Sequence, residues 1–109
     1  MEAGIIGGGS WGSAFALHLG RLRVKTRLWV REGEILEELF RTRQNPVFLP
    51  GHLFPSSVSF SGDLKETARS ADVLFIAVPS QFCRQVFSDI ASALSRGQII
   101  VSLTKGIEE

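Results

Sequence analysis

Apolar and polar positions switch between two periods along this chain, and each switch marks an element. Ala3–Gly7 is a short apolar run around Ile5 and Ile6 and reads as a strand. Helical spacing follows from about Trp11 to Arg21, with Ala14, Phe15, His18 and Leu22 expected on one face. Thr26–Val30 returns to a period of two, with Leu28 and Val30 on one side and Trp29 on the other. A short helix from about Gly33 to Arg41 gathers Ile35, Leu36, Leu39 and Phe40. Residues 42–57 carry three prolines and cannot form a regular helix. Their Val47, Phe48, Leu49, Leu53 and Phe54 predict a loop packed onto the domain, not a disordered linker.

Beyond that loop a strand is expected at about Val58–Phe60, and Asp63 can cap a helix reaching about Ser70, with Glu66 in capping-box position. Val73–Val78 is unbroken apolar sequence, the mark of a strand buried on both faces of a parallel sheet. Pro79 and Ser80 end it. The helix Gln81–Leu94 repeats Phe82, Val86, Ile90 and Leu94, with Phe87 and Ala93 widening the stripe, and Gly97 turns the chain into a last strand, Ile99–Ser102. Strands alternating with helices predict an α/β fold, a doubly wound parallel sheet of order 3-2-1-4-5.

The first strand–helix junction carries the most informative chemistry. Gly7, Gly9 and Gly12 stand in the spacing G-x-G-x-x-G, between a strand-like and a helix-like segment, as the Rossmann dinucleotide fingerprint requires. Gly7 allows the tight turn, Gly9 lets a pyrophosphate approach the backbone, and Gly12 lets the helix pack closely on its strand. The free N–H groups and positive dipole end of that helix favour an anion, and Ser10 can add a hydroxyl.

The bulk properties narrow the partners. The chain has 109 residues, enough for one domain, and 44% of them are hydrophobic, which excludes a disordered chain. A net charge of +1 gives no reason to expect nucleic acid or an acidic membrane. No apolar run approaches the ~20 residues that span a bilayer, and no signal peptide is visible. A single cysteine, Cys83, excludes an intrachain disulfide and fits a reducing, cytoplasmic compartment; it reads as an ordinary helix residue. His18 has no second His or Cys at ligand spacing, so no metal site is expected.

Ligands of open α/β sheets bind beyond the carboxyl ends of the strands. Arg31 stands at the end of the second predicted strand, nineteen residues after Gly12, where such folds meet the adenosine ribose. A cation there favours a 2′-phosphate, which slightly favours NADPH over NADH, while the adjacent Glu32 keeps a plain ribose open. Lys105, after the fifth strand, is expected at the same cleft, placed to hold a substrate phosphate or polarise a carbonyl.

Five segments occur together and in order: G-G-G-S-W-G-S-A-F-A, L-W-V-R, N-P-V-F-L-P-G, A-D-V-L-F-I-A-V-P-S-Q and T-K-G-I-E-E. Together they resemble the N-terminal domain of NAD(P)-dependent glycerol-3-phosphate dehydrogenase, over essentially the whole chain. The resemblance implies NAD(P)H as cofactor and reversible reduction of dihydroxyacetone phosphate to sn-glycerol 3-phosphate, a phospholipid precursor. It also implies that Ser10 and Trp11 contact the dinucleotide in the glycine turn, that Arg31 faces the adenosine end, and that Phe82 packs beside the cofactor. Lys105 matches the family lysine that touches substrate and cofactor.

The family's principal catalytic lysine lies in a helical C-terminal domain, so residues 1–109 are expected to be an incomplete cofactor domain with little turnover alone. A homodimer of the full-length protein stays possible. One departure is local: the family commonly has glycine where Arg23 stands. Two other readings compete. One is the cofactor domain of a 6-phosphogluconate or ketopantoate type of reductase; the other is a dinucleotide-sensing module without catalysis.

Overall fold

Strand β1 (Glu2–Ile6) holds the centre of the sheet, because its residues Ala3, Gly4, Ile5 and Ile6 are all buried. The computed structural model describes residues 1–103. Four further strands run parallel in the order β3-β2-β1-β4-β5: β2 (Lys25–Trp29), β3 (Val58–Ser61), β4 (Val73–Ile76) and β5 (Ile99–Ser102). The expected order is the observed one. Ile6 pairs with Trp29 on one side and Ile76 on the other, so these strands end level and their following turns open onto one edge.

Successive residues of a strand face opposite sides, and the two cores follow from that. Ile5, Leu28 and Val30 pack with Ala16 and Leu17 of helix α1 (Ser10–Arg21) and Leu39 of α2 (Gly33–Thr42). Ile6, Leu74 and Ile76 pack on the other face with Ala68 of α3 (Leu64–Ser70) and Val86 and Ile90 of α4 (Ser80–Ile90). The expected split of Leu28 and Val30 from Trp29 is found, with Trp29 against the second core.

Helix α1 turns a different face inward from the one its large residues suggest. Gly12, Ser13, Ala16, Leu17 and Gly20 are buried, whereas Ala14 and His18 are exposed, as is Leu22 just past the helix end. Phe15 is half-buried, edge-on to Phe75 with ring centroids 4.7 Å apart. Small residues decide the packing: a Cβ at Gly20 would strike Val58 and Pro55. A pattern weighted by hydrophobic bulk does not register them.

Three other expectations are corrected in detail. In α4 the buried residues are Val86 and Ile90, followed by Ala93 in a short 3-10 turn, while Phe87 is exposed. It lies about 100° round the helix from Val86. Strand β5 is apolar yet exposed at Ile99 and Ile100, as befits a strand at the edge of the sheet. At α3, Asp63 accepts from the Glu66 N–H at 3.0 Å, but only half of the capping box forms. The Asp63 N–H donates to Ser61 Oγ, and Glu66 pairs with Arg27 at 3.4 Å.

The proline loop is packed at selected points. Phe54 is buried and Leu49 half-buried against the first core, but Val47 and Leu53 are exposed. Arg43, left-handed at φ 60, ends α2 and closes the loop. Its guanidinium donates to the carbonyls of Phe54, Pro55 and Val58 at 2.6–3.0 Å and lies over the Phe60 ring.

Arg23, where the resemblance implies a glycine, is likewise left-handed, at φ 66. A non-glycine residue there costs about 1–2 kcal/mol, and glycine's extra freedom in the unfolded chain offsets part of the relief. Arg23→Gly is therefore expected to stabilise the chain by about 0.5 kcal/mol, read as a higher urea midpoint at unchanged slope.

Candidate functional site

The site begins where β1 runs out of partners. The Gly7 N–H still donates to the Trp29 carbonyl at 3.1 Å, but at φ +126 the chain then turns sharply off the sheet. A Cβ on Gly7 would lie 2.5 Å from the Ala77 carbonyl oxygen, so glycine is needed for both conformation and space. Gly12, the third residue of α1, lies directly against the Gly7 carbonyl, with no room for a Cβ. Gly9 differs from both. Its φ of −76° suits any residue, and a Cβ built there meets nothing within 4 Å. The space beside it is open.

That space belongs to a groove along the carboxyl edge of the sheet, formed of two adjoining hollows. The first, about 270 Å³, is walled by Gly7, Gly8, Trp29 and Gln85, with Glu32 shared between the two. The second, about 500 Å³, is walled by Gly9, Ser10, Trp11, Phe48 and Leu103. Arg31, Val78, Pro79 and Phe82 border both. Trp29 Nε1 is buried with no acceptor among the described residues.

Helix α1 points its N-terminus at the junction of the hollows, with no acidic residue in its first turn. Its early N–H groups and dipole offer an anion a place at the glycine turn. Trp11, Phe48 and Phe82 add aromatic side chains to its walls, of the kind that flat rings pack against. The arrangement suits an elongated ligand with an anionic middle and planar ends.

The sequence-predicted residues gather here with two qualifications. Gly7, Gly9, Ser10, Trp11, Arg31 and Phe82 all line the groove. Gly12 stands behind the turn and shapes it. Lys105 lies outside the described residues; Leu103, two positions earlier, lines the second hollow. The Arg31 guanidinium sits 5.1 Å over the Phe82 ring, and its Nη2 is 3.9 Å from Glu32 Oε2. With both side chains well exposed to water that ion pair is weak, which leaves the cation available to a ligand phosphate.

Sequence reasoning missed two residues. Phe48 reaches the groove from the proline loop. Asn45, fully buried, donates through Nδ2 to the Gly8 carbonyl at 3.0 Å and to Ser13 Oγ at 3.1 Å. Its Oδ1 accepts from the N–H groups of Val47 and Phe48. An N-P dipeptide reads as a loop breaker, and nothing local signals partners 32 and 37 residues away. No group of three His, Cys, Asp or Glu side chains among the described residues could hold a metal ion. None of the described helices is long and apolar enough to cross a membrane.

The family profile of the NAD-dependent glycerol-3-phosphate dehydrogenase N-terminus matches residues 2–109. The chain belongs to this family. It is 41% identical over 108 residues to a glycerol-3-phosphate dehydrogenase [NAD(P)+] of Streptomyces griseus, covering 99% of this chain and 32% of that relative. The chain thus spans about a third of the length of the curated relatives it matches. A solved glycerol-3-phosphate dehydrogenase from Coxiella burnetii superposes with a TM-score of 0.91 at 32% identity, over 96% of this chain and 32% of that one. A ketopantoate reductase from Ralstonia eutropha also superposes, with a TM-score of 0.82, over 99% of this chain and 35% of that one. At 22% identity that likeness shows the shared fold alone.

Proposed function

We propose that this chain binds NAD(P)H along the groove and forms the cofactor half of an enzyme that reversibly reduces dihydroxyacetone phosphate to sn-glycerol 3-phosphate. The observation that carries the binding is the unfilled space at Gly9, opposite the open N-terminus of α1. The relatives are named for glycerol 3-phosphate and for NAD(P)+. When bound, the cofactor supplies a hydride from its nicotinamide to the substrate's C2.

The chain's own residues hold and orient. The turn from Gly7 to Gly12, with Ser10 and Trp11, seats the pyrophosphate and sets its register along the groove. Arg31 faces the adenosine end and pairs with a 2′-phosphate, which favours NADPH. Phe82 packs against the cofactor and shields that end from water. Lys105 grips the substrate phosphate or stabilises the alkoxide forming at C2. Residues 1–109 belong to one cofactor domain, and turnover is assigned to the whole length typical of the family, where homodimer contacts also belong. The lone Cys83 suits a reducing compartment such as the cytoplasm.

Titration of this chain with NADPH and with NADH tests the reading, since binding of neither would end it. Arg31→Ala is expected to weaken NADPH about tenfold, or about 1.4 kcal/mol, and to leave NADH within twofold. Equal loss for both would remove Arg31 as the selector of the phosphate while keeping the groove.

A further inference from the structure

We propose that Asn45 is a positioning residue: with Ser13 it holds the Gly8 carbonyl inward and so aims the Gly9 N–H at the dinucleotide's pyrophosphate. The inference rests on the groove being the dinucleotide site. Two donors converge on the Gly8 oxygen, Asn45 Nδ2 and Ser13 Oγ, each at 3.0 Å, from two fully buried side chains. Ser13 Oγ in turn accepts from Asn45 Nδ2 at 3.1 Å. Both Asn45 donors and two of its acceptor sites are therefore used, which fixes the amide's orientation.

A trans peptide is planar, with its C=O and N–H pointing in opposite directions. Drawing the Gly8 oxygen into the interior turns the Gly9 N–H the opposite way, out of the interior, at a residue that borders the second hollow. No described residue accepts a hydrogen bond from the Gly9 N–H. If this peptide flipped, a carbonyl oxygen would face the phosphates in place of a donor. Asn45 thus decides the sign of the partial charge that the turn presents to an anion.

The loop that carries Asn45 does not require those donors for its own shape. Its turn uses the Oδ1 acceptor, through the Val47 and Phe48 N–H groups at 3.1 and 3.0 Å. The same side chain therefore seats Phe48, one wall of the second hollow, and orients the glycine turn, the other wall. The two halves of its work can be separated chemically. Asn45→Asp keeps the acceptor and loses both donors. Ser13→Ala removes one clamp on the Gly8 oxygen without adding charge.

The test compares two ligands on this chain: NADPH, and adenosine 2′-phosphate, which shares the adenosine end but has no pyrophosphate. Dissociation constants come from NMR-monitored titration, under conditions where far-UV circular dichroism shows each variant folded. Ser13→Ala is expected to weaken NADPH about fivefold and Asn45→Asp about thirtyfold, with adenosine 2′-phosphate within twofold of wild type for both. Equal losses for the two ligands would mean that Asn45 only supports the fold, and would overturn the proposal. So would NADPH affinity within twofold of wild type in both variants. If Asn45→Asp does not fold, Ser13→Ala decides alone. A wild-type chain that binds neither ligand would instead remove the dinucleotide reading itself.

Discussion

Gly12→Ala is expected to destabilise the chain by about 3 kcal/mol or more, a large share of the roughly 5–15 kcal/mol typical of a domain. A Cβ at Gly12 would overlap the Gly7 carbonyl, which is backbone and cannot swing aside as a side chain does. Relief requires either lifting α1 off β1 or unwinding the turn. Lifting α1 would open the contacts of Ala16 and Leu17 with the first core. It would also separate Ser13 from the Gly8 carbonyl, to which it donates at 3.0 Å. Thermal unfolding should show the midpoint falling by about 15 °C, since 1 kcal/mol corresponds to about 4–8 °C in a domain this size. A fall of less than 3 °C would mean that the helix shifts freely, and that the fingerprint's third glycine is not a packing requirement here.

The parts of this architecture legible in the sequence are those whose signal is local. Val73–Val78 is apolar without interruption because both faces of β4 are covered, Leu74 and Ile76 by one core and Phe75 by the other. The strict alternation of Leu28, Trp29 and Val30 likewise reflects a central strand sorting its residues between two layers. Strand order followed from the alternation of elements, and it brought the ends of β1, β2 and β4 to one edge. Hence Gly9, Arg31 and Phe82, remote in sequence, were expected at one site and lie along one groove.

What could not be read locally depended on close approach or on distant polar partners. The buried face of α1 is built from Gly12, Ser13, Ala16, Leu17 and Gly20, mostly too small to weigh in a periodicity of bulk. Asn45 stands in the proline loop with no local sign of its partners, yet it links that loop to the glycine turn. The stacking of Arg31 over Phe82 joins a strand end to a helix start, a meeting that neither segment announces. The exposure of Ile99 and Ile100 shows the converse: an apolar run reports strand character without reporting what covers it.

Gly9→Val separates ligand space from packing within the same motif. Gly9 has an extended backbone at φ −76°, ψ −166°, and its missing Cβ would point into open space. Valine adopts such a backbone readily, so stability should change by less than about 1 kcal/mol, mainly through a poorer helix cap. The added methyl groups would instead fill the place where a pyrophosphate meets the turn. NADPH affinity is expected to fall about a hundredfold, or about 2.7 kcal/mol, measured by calorimetric titration. Gly12→Ala should lose its fold at a temperature where Gly9→Val keeps its fold and loses its ligand. Binding by Gly9→Val at wild-type strength would mean that the dinucleotide does not lie against this turn. The family would still stand on the match across residues 2–109, but the groove would have to be read as serving another ligand.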